Sequence, residues 1–336
     1  MSQPDTGSDV WRNRRVLVTG ATGLVGGWLV EALLAAGARV AALVRDQDHR
    51  SQLYRSGAIG RVMVVTGDVA DLVSVERAID EDGPDTVVHL AAQPIVQVAL
   101  RSPLATFETN VRGTYNLLEA CRRRADVVRR VALASSDKAY GDHGETAYVE
   151  EAPLRATGPY DVSKACGDMI ARGYAATYGT PVAIARCGNI YGGGDLNWSR
   201  IVPGTIRALH RGERPLLRSD GTSVRDYLYV RDAVSAYLRL AADADREGVR
   251  GRAFNFSAEA PLSVLGMVEK IADLMGRPDL APTIEVSARA EIPYQRLSAG
   301  RARDVLGWAP CHDLGAGLRE TIDWYRAFFA GGGGAP

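Results

Sequence analysis

Apolar residues come in short blocks through the first half of the chain. RRVLVTG (14–20), ARVAALV (38–44), VMVVTGDV (62–69), DTVVHLA (85–91) and VRRVALASS (128–136) are aliphatic, β-branched runs of strand length. Longer stretches with helical spacing separate them, and the first, GGWLVEALLAAG, stops at Gly37. Continuous apolar strands alternating with helices predict βαβ units and a parallel sheet covered on both faces. Past residue 186 the pattern loosens: Gly192, Gly193 and Gly194 interrupt it and an irregular, arginine-rich stretch follows. The expected architecture is therefore α/β. A Rossmann-type doubly wound sheet occupies mainly 14–186 and a smaller substrate-binding lobe mainly 187–328, with some chain crossing between them. Residues 1–13 are polar and the end of the chain reads GGGGAP, so 1–13 and 329–336 are expected to be disordered or flexible.

Composition narrows the function. A chain of 336 residues with 46% hydrophobic content can bury a sizeable core. Forty basic against forty acidic residues leave no net charge, which argues against a nucleic-acid or anionic-membrane surface. No apolar run approaches the ~20 residues of a membrane span, and the opening segment has no signal-peptide character, so a soluble cytoplasmic protein is expected. The cysteines Cys121, Cys166, Cys187 and Cys311 form no CxxC pair, so no metal site is expected and buried apolar thiols are. Only three lysines occur, Lys138, Lys164 and Lys270; every other basic residue is arginine. A lysine retained in such a chain is a candidate for what arginine cannot do, such as releasing a proton near neutral pH.

The strand VLVT runs into Gly20-Ala21-Thr22-Gly23-Leu24-Val25-Gly26 and then a helix. In that context GxxGxxG is a dinucleotide loop: glycines allow the tight turn and close backbone approach, and the helix N-terminus offers free N–H groups to a pyrophosphate. Gly67-Asp68-Val69 follows another strand and places Asp68 by the adenine. His89-Leu90-Ala91-Ala92 ends a further strand with small residues against which a cofactor can lie. The second strand ends Val44-Arg45-Asp46, where Asp46 favours the ribose hydroxyls of NAD and Arg45 the 2′-phosphate of NADP; both remain open.

Tyr160-Asp-Val-Ser-Lys164 puts a phenol and an amine on one helix face. The lysine is expected to lower the tyrosine pKa, making Tyr160 a base near neutral pH, and to hold the nicotinamide ribose. Ser135-Ser136-Asp137-Lys138 follows VRRVALA and so lies at the C-terminal end of a parallel strand, where open α/β sheets bind ligands. Ser136 can relay a proton to Tyr160, and Asp137 and Lys138 are adjacent ionisable groups. Two of the three lysines fall in these two motifs.

The segments TGATGLVG, HLAAQP, TNVRGTYNLLEA, SSDKAYG, PYDVSK and LGWAP, in that order over about 14–328, resemble the extended short-chain dehydrogenase/reductases of the NAD-dependent epimerase/dehydratase family that modify nucleotide sugars. Within that group the similarity is greatest to CDP-glucose 4,6-dehydratases, carried by HLAAQPIVQVALRSPLATFETNVRGT and the Ser-Asp-Lys triplet. Arg225-Asp226-Tyr227 and the start of the glycine loop look more like the epimerase and dTDP-sugar group, which leaves base and sugar open. The resemblance implies oxidation at C4, loss of water across C5 and C6, and hydride return to C6. Asp137 would be the acid at C6 and Lys138 the base at C5. It implies substrate contacts at Gln93, Ser136, Asn189, Arg200, Arg218 and Arg225, and a homodimer using helices around Asn110–Arg123 and Tyr160–Tyr178. A nucleotide-sugar epimerase or a UDP-glucuronate decarboxylase would use the same Tyr160 and Lys164 chemistry without needing the Asp137–Lys138 pair.

Overall fold

The computed structural model describes residues 8–285 and 292–332. Its centre is a seven-stranded parallel sheet: β1 (Arg15–Thr19), β2 (Arg39–Val44), β3 (Met63–Thr66), β4 (Thr86–His89), β5 (Arg130–Ala134), β6 (Val182–Cys187) and a last strand, Ala253–Phe256. In space the order is Ala253–Phe256, β6, β5, β4, β1, β2, β3. The chain therefore reverses its direction of winding between β1 and β4, leaving a crevice at their C-terminal ends.

Alternation along each strand divides the core into two. Val16, Val18, Val40 and Ala42 join one cluster with Leu29 and Leu33 of the helix Leu24–Ala35. Leu17, Ala41 and Leu43 join the other with Val75 and Ile79 of Leu72–Asp82 and Leu117 of Gly113–Arg123. Because both faces are buried, the strands carry apolar residues continuously. A third cluster, with Ile206, Met267, Ile322 and Tyr325, is built by helices Ile201–His210, Val264–Leu274 and Leu314–Ala330 from the second half. The second half also completes the sheet, through Ala253–Phe256 and the helix Val230–Asp243 packed beside it.

Three expectations need correction. The start of the chain is structured from Ser8: Ser8–Trp11 is a helical turn and Trp11, 1% exposed, joins the sheet core. One large apolar ring outweighs the polar composition around it, and only 1–7 of the expected disordered segment 1–13 lies outside the described residues. At the other end the helix runs through Ala330, and 333–336 lie outside the described residues. The cysteines are not uniformly buried either: Cys121 and Cys187 are, but Cys166 is half-buried and Cys311 is exposed in a loop whose backbone is held by Asp232. Among the described residues no helix is long and apolar enough to cross a membrane.

At the winding reversal β1 and β4 are tied by a buried histidine. Thr19 Oγ1 accepts from Ala91 N at 3.2 Å and pairs with His89 Nδ1 at 2.7 Å. Thr114 donates to Asn110 O at 2.6 Å, so His89 Nε2–H is the donor to Thr114 Oγ1 at 3.4 Å. Burial keeps the ring neutral, so Nδ1 is left to accept from the Thr19 hydroxyl. Burial, followed by the charge of Lys164, pushes the His89 pKa from 6.5 down to about 3. As pH falls below 6.5 the unfolded chain binds a proton that the native chain refuses. Stability contributed by neutral His89 is therefore present above 6.5 and lost towards pH 3, by up to about 1.4 kcal/mol per pH unit. Urea unfolding across this range should show a shallower acid loss in His89→Gln than in wild type; an unchanged slope would contradict the assignment.

Candidate active site

The C-terminal ends of the strands open into one cavity of about 1210 Å³, shared by the sheet and the second-half helices. Gly20, at the end of β1, has φ +73°, and a Cβ there would meet Ala91 N at 2.7 Å. Only glycine permits this approach of the two strand ends. A Cβ on Gly26 would stand 2.1 Å from Gly20 O, so the helix Leu24–Ala35 can sit directly on the turn. Gly23 is the N-cap and offers no side chain to the first-turn N–H groups, which face the cavity beside Thr22, Leu24 and Val25. Such a cradle fits the pyrophosphate of a dinucleotide. Arg45, Asp68, Val69, Leu90, Ala91 and Ala92 continue the same wall.

The other wall carries the reactive groups. Ser136, Asp137 and Lys138 leave β5, with Ser136 capping the turn Asp137–Tyr140 by accepting from Lys138 N at 3.2 Å. Tyr160 and Lys164 lie one helical turn apart on Pro159–Tyr178, whose N-terminus is set by Pro159. All five border the cavity, with Ser136 close enough to the Tyr160 phenol to favour its ionised form.

Their charge states differ. Asp137 is 2% exposed; its Oδ1 accepts from Ser136 Oγ at 3.0 Å and its Oδ2 has no partner. Burial raises its pKa, against the opposing pull of Lys138, the Ser136 bond and Arg225. A carboxyl in that environment is suited to carry a proton. Lys138 instead turns its Nζ to Gln295 Oε1, at 3.1 Å. The expectation that Lys164 lowers the Tyr160 pKa is corrected. Lys164 Nζ donates to Ala134 O at 2.9 Å, and burial brings its own pKa down to about 8. Burial pushes Tyr160 up to about 12, with Arg200 and the Ser136 hydroxyl pulling the other way. Positive charge must accumulate beside the phenol before it acts as a base.

The comparisons with known proteins agree with this geometry. Residues 16–256 match the model of the NAD dependent epimerase/dehydratase family. The chain belongs to that family. It is 34% identical over 320 residues to a dTDP-glucose 4,6-dehydratase of Mycolicibacterium smegmatis, covering 93% of each chain. It is 30% identical over 337 residues to a CDP-glucose 4,6-dehydratase of Salmonella typhimurium, covering 96% of this chain and 93% of that one. A dTDP-glucose 4,6-dehydratase of Streptomyces venezuelae, solved with NAD and TYD bound, superposes with a TM-score of 0.84 at 28% identity, covering 93% of this chain and 97% of that one.

As a member of this family the chain places most of its expected substrate residues around the same cavity. Asn189, Arg200, Arg218 and Arg225 border it. Asn189 Nδ2 is buried without a partner, a donor left for a ligand. Arg200 is anchored by Asp195 at 3.0 Å, and Arg218 is exposed at the rim. Arg225 is 7% exposed and donates to Val224 O and Ile292 O, at 2.9 and 2.8 Å. Gln93 is a correction: it does not border the cavity. Its side chain closes its own loop, accepting from Ile95 N at 2.6 Å and donating to Thr106 Oγ1 at 3.0 Å. Its backbone N–H donates to Asn110 Oδ1 at 2.7 Å, Asn110 Nδ2 to Ser163 Oγ at 2.8 Å, and Ser163 Oγ to Tyr160 O at 2.6 Å. The Gln93 backbone thus braces the helix that carries Tyr160 and Lys164. Ser135 and Gln295 were missed. The Ser135 hydroxyl is buried, faces the cavity and has no partner, and it stood unremarked beside Ser136 in the same motif.

Proposed function

We propose that the protein converts a nucleoside-diphosphate hexose to its 4-keto-6-deoxy form by 4,6-dehydration. The observation that carries this reading is the pairing, on one turn, of a buried carboxyl raised in pKa with a lysine amine, beside Tyr160 in the cofactor cavity. Relatives named 4,6-dehydratases, matched over more than nine-tenths of the chain, support it. NAD, when bound, supplies a reversible acceptor for the C4 hydride, which is returned at C6. Tyr160 takes the 4-hydroxyl proton through Ser136. The 4-ketone acidifies the C5–H bond, and Lys138 removes that proton. Asp137 gives its proton to the 6-hydroxyl, which leaves as water. Asn189 and the arginines at 200, 218 and 225 hold the diphosphate. Simple epimerisation would make no use of Asp137 and Lys138.

NAD rather than NADP is the cofactor in this reading. Arg45 is engaged by Asp46 at 2.6 Å and faces Asp68 at 3.8 Å, and Asp48 borders the same wall. Asp46 and Asp68 both engage that guanidinium and disfavour a 2′-phosphate, while Asp48 is itself paired with Arg50 at 3.1 Å. The protein also pairs as a homodimer: Leu104, Met169 and Tyr115, 72%, 63% and 38% exposed, lie on neighbouring helices where a second copy can cover them. Sedimentation should give twice the chain mass for wild type and a monomer for Leu104→Arg combined with Met169→Arg; unchanged mass in the variant would contradict that face.

Tyr160→Phe should abolish turnover of dTDP-glucose and CDP-glucose yet release NAD, not NADP, when denatured. Lys138→Arg keeps the charge but loses the titratable amine, and should still oxidise C4 while losing solvent deuterium uptake at C5. Dehydration retained by Lys138→Arg would remove Lys138 from the C5 role.

A further inference from the structure

Lys138 is held by a residue to which no motif points. Gln295 is 0% exposed and lies on the short strand Tyr294–Gln295, where it stands opposite Arg225 of the parallel strand Val224–Arg225. Its Oε1 accepts from Lys138 Nζ at 3.1 Å. Because the lysine nitrogen only donates when charged, the carbonyl end of the amide must face it. Resting on the dehydratase reading, we infer that Gln295 is the positioning residue of the elimination step: its side-chain carbonyl fixes the Lys138 nitrogen at the cavity wall without adding a charge to it.

The chemistry explains why an amide suits this place. A lysine side chain is long and flexible, and a base must hold its nitrogen within hydrogen-bond reach of the proton it removes. The Gln295 carbonyl binds one N–H of either the ammonium or the free amine, and leaves the lone pair of the amine available. A carboxylate in its place would favour the ammonium, which has no lone pair to offer. The rest of Gln295 argues against a purely structural role. Its Nε2 is buried with no partner, and the side chain does not border the cavity. An apolar residue of the same shape would avoid that unmet donor.

Other charges around Lys138 are already arranged. Asp137 on its own turn and Asp161 on the helix Pro159–Tyr178 both feel its charge. Arg225, on the strand beside Gln295, acts on Asp137, and Asp137 in turn acts on Tyr160 and Tyr148. A glutamate at 295 would add a third carboxylate facing the amine. The base would then stay protonated to higher pH, so the rise of the rate with pH would move upward.

The test compares full-length wild type with Gln295→Met and Gln295→Glu, using dTDP-glucose, CDP-glucose, UDP-glucose and GDP-mannose. Single-turnover nicotinamide absorbance reports C4 oxidation; C5 deuterium uptake and product mass report elimination. Gln295→Met should oxidise C4 at close to the wild-type rate while elimination and C5 uptake fall about 10- to 100-fold, with KM little changed. Gln295→Glu should move the acid limb of the elimination pH profile up by about one pH unit. Unchanged elimination in Gln295→Met, parallel loss of both half-reactions, or an unmoved acid limb in Gln295→Glu would each overturn the positioning role. If wild type exchanges no C5 proton with dTDP-glucose, CDP-glucose, UDP-glucose or GDP-mannose, the dehydratase reading fails and takes the role of Gln295 with it; if wild type dehydrates one of them and the variants behave like it on that sugar, only Gln295 is displaced.

Discussion

The backbone of Gly20 lies so close to Leu90 and Ala91 that no side chain fits between them, and the site is organised around that contact. It brings the ends of β1 and β4 together at the point where the sheet reverses its winding. Thr19 and His89, one residue back along each strand, lock the same approach through a neutral buried ring. Thr114 then links the ring to Asn110, and Asn110 to Ser163 on the helix that carries Tyr160 and Lys164. The glycine loop at one strand end and the helix carrying Tyr160 and Lys164 are thereby fixed relative to each other by a chain of hydrogen bonds, not by loops.

Desolvation then sets the chemistry. In water Asp137 would be ionised, Lys138 protonated and Tyr160 a neutral phenol. The cavity raises the Asp137 pKa by burial, which suits an acid, and raises Tyr160 to about 12, which does not suit a base. The compensation for Tyr160 comes from positive charge at Arg200 and from the nearby Ser136 hydroxyl. Asp137 and Lys138 are neighbours in the chain, yet their side chains diverge, one to Ser136 and the other to Gln295. That divergence lets adjacent residues hold opposite roles in place of neutralising each other.

Much of this was legible in the sequence because local pattern and chemistry coincide. Strands β1, β2, β4 and β5 read as strands since burial on both faces makes them apolar throughout, and the edge strand β3 shares the pattern although Met63 and Val64 are exposed. The glycine loop, Ser136-Asp137-Lys138 and Tyr160-x-x-x-Lys164 each occupy one local segment, so their spacing alone carries meaning. What was not legible depends on residues brought together by folding. Gln295 meets Lys138 across 157 positions, and no spacing signals it. Gln93 sits in a recognisable motif, but its amide turns inward to the loop, a direction that pattern does not encode. Trp11 lies in a polar stretch and is buried only because the sheet offers it a place. The direction of the Tyr160 shift follows from desolvation at the cavity wall, whereas the sequence displays only the nearby lysine.

The most direct test of the central claim is to incubate the wild-type protein with CDP-glucose, UDP-glucose, dTDP-glucose, GDP-mannose and UDP-glucuronate separately in deuterated water and to record product masses. The account predicts, for one of them, a product that has lost one water and carries deuterium at C5. An isomer of unchanged composition, or turnover confined to UDP-glucuronate with loss of carbon dioxide, would contradict it and leave Asp137 and Lys138 without the roles assigned to them.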